Sequence, residues 1–215
     1  MLGLIRKDFY NTRRQIILCG VMAVLYLFFA AVQKNSSIFI GIVMMASAML
    51  PVTALAYDER AGWDRYAAAM PLKRRDLVLE KYLMGGILLL AVVAVSLAAC
   101  VLVSGGIQEE DVFSVLFLGI FYLVYLSVLL PVVFRIGTER ARYVMMLLFI
   151  LPFAGIIAAD QMTKHGIGIF SGWQAKAEFG VETLKTAGII SLLAAVLAFV
   201  VSCRLSVAIY EKKEL

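Results

Sequence analysis

Residues 15–32 read QIILCGVMAVLYLFFAAV, an uninterrupted apolar run with no charged side chain, entered through Arg13-Arg14. A helix needs about 20 such residues to cross the hydrocarbon core of a bilayer. A basic start followed by an apolar run also suggests a secretory signal. This run exceeds the roughly 7–15 residues of a signal core, however, and no A-x-A-like cleavage site follows it, so it reads as a retained first membrane helix.

Five more runs of similar character follow, at about 38–57, 83–104, 112–134, 143–159 and 187–209. None alternates with period two. In lipid every backbone polar group must be satisfied within the protein, so continuous apolar runs select helices over a barrel. Pro51, Pro131 and Pro152 fall in or near runs two, four and five, where membrane helices tolerate them as kinks. Of the 215 residues, 63% are hydrophobic and 16% charged, against about 45–50% and about 25% in soluble domains. The mean hydropathy is +0.93. The expected fold is all-α: a polytopic membrane protein with six transmembrane helices, forming a single transmembrane domain over 1–215 without internal repeat or linker.

The net charge of +5 and pI near 9.2 would suggest nucleic acid in a soluble protein. Here the basic residues flank the apolar runs. Arg6, Lys7, Arg13 and Arg14 precede the first; Arg60, Arg65, Lys73, Arg74, Arg75 and Lys81 lie between the second and third. Arg135, Arg140 and Arg142 lie between the fourth and fifth, and Arg204, Lys212 and Lys213 close the chain. The opposite side holds only Lys34, Lys164, Lys176 and Lys185. That asymmetry puts both termini in the cytoplasm and leaves no basic, aromatic face for nucleic acid.

Catalytic signatures are missing. The sequence contains no G-x-x-x-x-G-K-[ST], no H-E-x-x-H and no G-x-S-x-G. Cys19, Cys100 and Cys203 lie singly within apolar runs and read as packing residues. The only histidine, His165, stands in a predicted outer loop. No metal site is expected. The runs hold almost no ionisable groups, which disfavours an independent ion-coupled carrier.

Two segments on the cytoplasmic side carry more than topology requires. Between runs two and three, Asp58, Glu59, Asp64, Asp76 and Glu80 interleave with the basic residues, alongside Trp63, Tyr66 and Tyr82. A short helix is expected from Glu59 to Met70, ended by Pro71, with a second helix leading into run three. Such a helix suits docking of a partner protein; the plainer alternative is an amphipathic connection on lipid headgroups. At the N-terminus, Leu2, Ile5 and Phe9 recur at helical spacing while Arg6, Arg13 and Arg14 can reach anionic headgroups, which predicts an interfacial helix. The last outer segment, Asp160 to Thr186, carries Phe170, Trp173 and Phe179 among charges. It reads as an interfacial helix, a re-entrant hairpin or a loop with aromatic anchors.

The segment Asp58-Glu59, Trp63, Tyr66, Pro71, Arg74-Arg75, Lys81-Tyr82 resembles the loop between spans two and three of ABC-2 type transporter permeases. The small six-span permeases of bacterial exporters such as those for phenol-soluble modulins are similar in outline. The resemblance implies a coupling helix, Asp58, Glu59, Arg60, Trp63, Asp64, Arg65 and Tyr66, docking on a separate ATPase subunit. It further implies two ATPase and two permease copies, identical or homologous, with ATP and Mg on the ATPase and no cofactor in this chain. The region with Asp160, His165, Phe170, Trp173 and Phe179 would belong to an extracellular gate. The implied function is export across the bacterial inner membrane, and the uncharged spans favour a hydrophobic or amphipathic cargo such as a peptide, lipid or drug. A non-transporting scaffold or sensor is the rival reading. A phosphatidyl-group transferase is a third, without the clustered aspartates such enzymes need.

Overall fold

The computed structural model describes residues 2–33, 35–69, 73–106, 108–164 and 181–212, and among these it is helical without strands. In chain order the helices are α1 (Leu2–Asn11), α2 (Arg13–Gln33), α3 (Ser37–Ala48), α4 (Leu50–Arg60), α5 (Trp63–Ala69), α6 (Arg74–Ser104), α7 (Glu109–Ile136), α8 (Thr138–Lys164) and α9 (Val181–Glu211). Among the described residues five stretches are long and apolar enough to cross a membrane: α2, α3 with α4, α6, α7 and α9. The fifth apolar run lies in α8, a helix of 27 residues, which continues past Pro152; the side chains of its far half lie outside the described residues.

The second crossing is two helices joined at Met49. Pro51 has no N–H to offer the Ser47 carbonyl, and its ring crowds the preceding turn. The backbone tightens there, with Met49 N–H reaching Ala46 O at 3.3 Å.

Pro131 is absorbed differently. It lies inside α7 and frees the carbonyl of Ser127, four residues earlier. Ser202 Oγ of α9 donates to that carbonyl at 2.6 Å. The defect in one helix thus becomes a bond to another.

α7 is the central helix, packed against α3, α6, α8 and α9. It contributes Tyr122, Tyr125, Leu126, Leu129, Leu130 and Val133 to the main core. Gly85 of α6 permits a close approach to α7: a Cβ there would lie 2.8 Å from Leu126 Cδ1. At the same spot Tyr122 Oη donates to Gly85 O at 2.9 Å. α2 is peripheral, with Ala30 its buried residue, and turns Leu18, Val24, Leu25, Phe28 and Val32 outward. An exposed stripe of that kind is stable only against lipid or another protein.

The expected helix from Glu59 to Met70 is corrected. α4 ends at Arg60, and Gly62, at φ +64°, turns the chain before α5 begins at Trp63. A left-handed residue cannot continue a helix, and glycine takes that conformation without a Cβ penalty. Met70 and Pro71 lie outside the described residues.

Candidate functional site

The site lies where α1, the end of α4, α5, the start of α6 and the α7–α8 turn meet. α6 has 31 residues, about 46 Å at 1.5 Å per residue, well beyond the ~30 Å hydrocarbon core. Its apolar run begins at residue 83, so its first turns stand clear of the core of the bilayer. Glu80 and Lys81 lie in that extension and are both buried.

Lys81 Nζ donates to Asp8 and, at 2.6 Å, to Asp58 Oδ2. Lys7 Nζ donates to Asp58 Oδ1 at 2.9 Å and lies 3.3 Å from Asp8 Oδ1. Two cations and two carboxylates thereby join α1, α4 and α6, three elements distant in sequence. Burial opposes the charge on Lys81, but Asp8 and Asp58 outweigh it and hold the ammonium more strongly protonated than usual. Asp8 can be buried because its helix is pinned beside it: Leu4 is also buried, and Thr12 Oγ1 donates to Asp8 O at 2.7 Å as α1 turns into α2.

Glu80 is the fifth ionisable member, with 0% exposure. Burial pushes its carboxyl up to about 7; Lys81 opposes that rise and Asp8 adds to it. As carboxylates, Glu80 and Asp8 leave Oε1, Oε2 and Oδ1 without hydrogen-bond partners among the described residues. A proton on Glu80 converts it into a donor toward Asp8. The cluster then holds two positive and two negative charges, which is the cheapest state for groups removed from water.

The same cluster reaches the loop. Lys7 Nζ lies over the Trp63 ring, 4.0 Å from its centroid, a cation–π contact that fixes the first residue of α5 against α1. Trp63 also packs on the main core, and with Asp58, Glu59, Glu80 and Lys81 it borders a cavity of about 40 Å³.

Next to it, Glu59 Oε2 accepts from Thr138 N at 2.7 Å and from the Thr138 hydroxyl. Glu59 therefore caps the start of α8, satisfying an N–H that the helix leaves free. Gly137, at φ +83°, makes room for it: a Cβ there would lie 2.7 Å from Glu59 Oε1. Through these contacts the segment between runs two and three is tied to the segment between runs four and five.

These positions divide the sequence-derived residues. Asp58 and Trp63 face inward, and Glu59 is engaged with Thr138. Arg60 and Tyr66 are exposed, Tyr66 to 66%. The side chains of Asp64 and Arg65 lie outside the described residues. In α1, Arg6 is exposed, Phe9 packs against the small core around Leu50, Ala54, Met84 and Leu88, and Ile5 is half-buried. Arg13 and Arg14 open α2 and are exposed. The Leu2 side chain is not described. Of the predicted gate region, His165, Phe170, Trp173 and Phe179 lie outside the described residues, as does the side chain of Asp160 in α8. Among the described residues no group of three metal-ligating side chains forms.

Lys7, Asp8, Glu80 and Lys81 were not candidates as a group in the sequence. One signal was available: Asp8 is the single acid among the first dozen residues, and it falls four after Leu4, on the face that packs.

Together these features define a multi-pass helical membrane protein whose buried ionic centre organises the loops at one membrane face. The family model for ABC-2 family transporter protein matches residues 3–211. The chain belongs to that family of membrane transport components, which normally work with an ATPase subunit. No curated protein matches it significantly.

Proposed function

We propose that this chain is the membrane-spanning permease subunit of an ATP-binding-cassette exporter, a single transmembrane domain over residues 1–215 with six crossings and both termini in the cytoplasm. The sixth crossing is α8. Its 27 residues are enough to span, and its start is held by Glu59 at the face where the basic residues concentrate. The working assembly pairs two such permeases with two ATPase subunits, which alone bind ATP and Mg. The cargo is hydrophobic or amphipathic, a membrane-active peptide, lipid or drug, because the crossings offer it few charges. Residues Asp160 to Thr186 form part of the outer gate.

The observation that carries this reading, beside the family, is α5. It is a short helix at the basic face, fixed from within by Lys7 on Trp63, with Arg60 and Tyr66 left outward. We assign ATPase contact to Arg60, Tyr66 and their neighbours Asp64 and Arg65. Asp58, Glu59 and Trp63 position the helix, so movement of α5 would be passed to α1, α6 and α8. Such an arrangement can transmit closure of an ATPase dimer to the spans.

The test is co-purification in mild detergent with the ABC ATPase encoded beside this chain, followed by ATP hydrolysis of the complex and of the ATPase alone. A stable complex with altered hydrolysis is expected. A chain that purifies without any ATPase would leave a scaffold or sensor role instead.

A further inference from the structure

A groove of about 950 Å³ runs along the outside of the bundle between α6 and the last half of α9, with Leu123 of α7 at its floor. Its walls are mostly aliphatic, Leu83, Ile87 and Leu90 on one side and Val196 and Val200 on the other. Arg75 and Arg204 stand at the end where α6 begins and α9 ends. Both are exposed, and among the described residues neither makes a hydrogen bond or ion pair. Glu211 borders the same end, and Arg74 there donates to its backbone carbonyl at 3.0 Å. The mouth is therefore net cationic.

Gly86 lines the groove within α6, and a Cβ at that position would meet nothing within 4 Å. A glycine in a helix interior costs about 1 kcal/mol relative to alanine. Gly85 beside it is explained by the close approach of Leu126; Gly86 has no such packing reason among the described residues. Its effect is to widen the groove.

We propose that the groove holds an acyl chain of an anionic glycerophospholipid, with the phosphate on Arg75 and Arg204. From Arg75 to Leu90 the helix rises about 22 Å, enough for a headgroup and one leaflet's share, about 15 Å, of the hydrocarbon core. Guanidinium groups bind phosphate through paired, charge-assisted hydrogen bonds, and Arg204 can extend toward the interface along its aliphatic stem. An apolar wall with a cationic mouth at one leaflet matches that one ligand at both ends. A second copy related by two-fold symmetry would instead bring both arginine pairs onto one interface. The proposal rests on the chain lying in a bilayer and is independent of ATPase docking.

Native mass spectrometry of the purified full chain, without any ATPase, is the test. Phosphatidylglycerol and phosphatidylcholine of matched acyl chains would be added in turn, so that only the headgroup, anionic in one and net neutral in the other, differs. Phosphatidylglycerol should bind about tenfold more tightly. The paired change Arg75→Gln, Arg204→Gln should bring the two lipids to near parity, and Gly86→Leu should weaken both while the melting temperature holds. Equal binding of the two lipids by the unaltered chain would overturn the proposal. So would a phosphatidylglycerol preference that survives the paired arginine change. A dimer mass that Gly86→Leu abolishes, with lipid adducts unchanged, would reassign the groove to a subunit interface and overturn it too.

Discussion

Lys81 and Tyr82 are neighbours in sequence, yet they anchor two polar centres of opposite design. Lys81 joins Asp8 and Asp58, tying α6 to α1 and α4 through charge. The Tyr82 hydroxyl meets Ser202 and Ser206 at 2.7 Å each, tying α6 to α9 through neutral groups. The direction of the second centre follows from counting protons. Ser202 spends its hydrogen on the Ser127 carbonyl freed by Pro131, so Tyr82 must donate to Ser202, and Ser206 to Tyr82. The difference follows from the partners on either side of α6. α1 and α4 offer carboxylates to Lys81, and the charges there balance one another. α9 offers Ser202 and Ser206 to Tyr82, so that contact needs no charge.

Breaking the charged centre should cost most. Lys81→Met leaves Asp8 and Asp58 buried with Lys7 alone, and loss of one partner from such a centre costs about 3–5 kcal/mol. A large fall in melting temperature is expected, with partial recovery when Asp8→Asn is added, since a neutral amide no longer needs the ammonium. Equal losses from Lys81→Met and Tyr82→Phe would erase the distinction between the centres.

The tie to α8 comes next. Gly137→Ala forces a Cβ onto an extended positive-φ backbone, φ 83° and ψ 167°, that is essentially glycine's alone, at about 1–3 kcal/mol, and crowds Glu59. Glu59→Ala removes the α8 cap, at about 0.5–2 kcal/mol. Both should lower the melting temperature, and Glu59→Ala should also speed amide exchange in the first turn of α8. Unchanged exchange there would mean that the two loops are not coupled through this contact.

Tyr82→Phe and Ser202→Ala should cost less, about 0.6 kcal/mol each, the usual value for hydrogen bonds between membrane helices. Their effects should not add, because both interrupt one chain of hydroxyls.

Glu80→Gln should be nearly silent at low pH. Because the folded state raises the Glu80 carboxyl from 4.5 to about 7, the folded protein holds a proton that the unfolded chain releases. Stability contributed by this group is therefore lost as pH rises from about 4.5 to about 7 and is level beyond. Glutamine removes that slope, so melting curves of the two proteins should diverge across this window. Parallel curves would place no extra proton on Glu80.

The helical, multi-pass architecture was legible in the sequence because length and hydropathy are local properties. All six apolar runs fall within helices, and the helical spacing of Leu2, Ile5 and Phe9 falls in α1. What escaped was long-range. Pro131 reads as a kink, but nothing local indicates that Ser202, 75 residues from Ser127, would take the carbonyl it frees. Nothing local marks Glu80 or Asp8 as buried, because their burial depends on α1 folding back onto α6. Gly62 was visible within the expected Glu59–Met70 helix, and its turn divides that helix into α4 and α5. The division directs Trp63 inward while Tyr66 remains outside.

The most direct test of the permease reading compares two substitutions for retention of the ATPase during co-purification. Arg60→Ala with Tyr66→Ala removes the outward side chains at the end of α4 and on α5 and should abolish the complex at an unchanged melting temperature. Trp63→Phe, which keeps an aromatic ring beneath Lys7, should leave the complex largely intact. If the paired surface change retains the ATPase while Trp63→Phe releases it, the inward and outward roles assigned to α5 are contradicted.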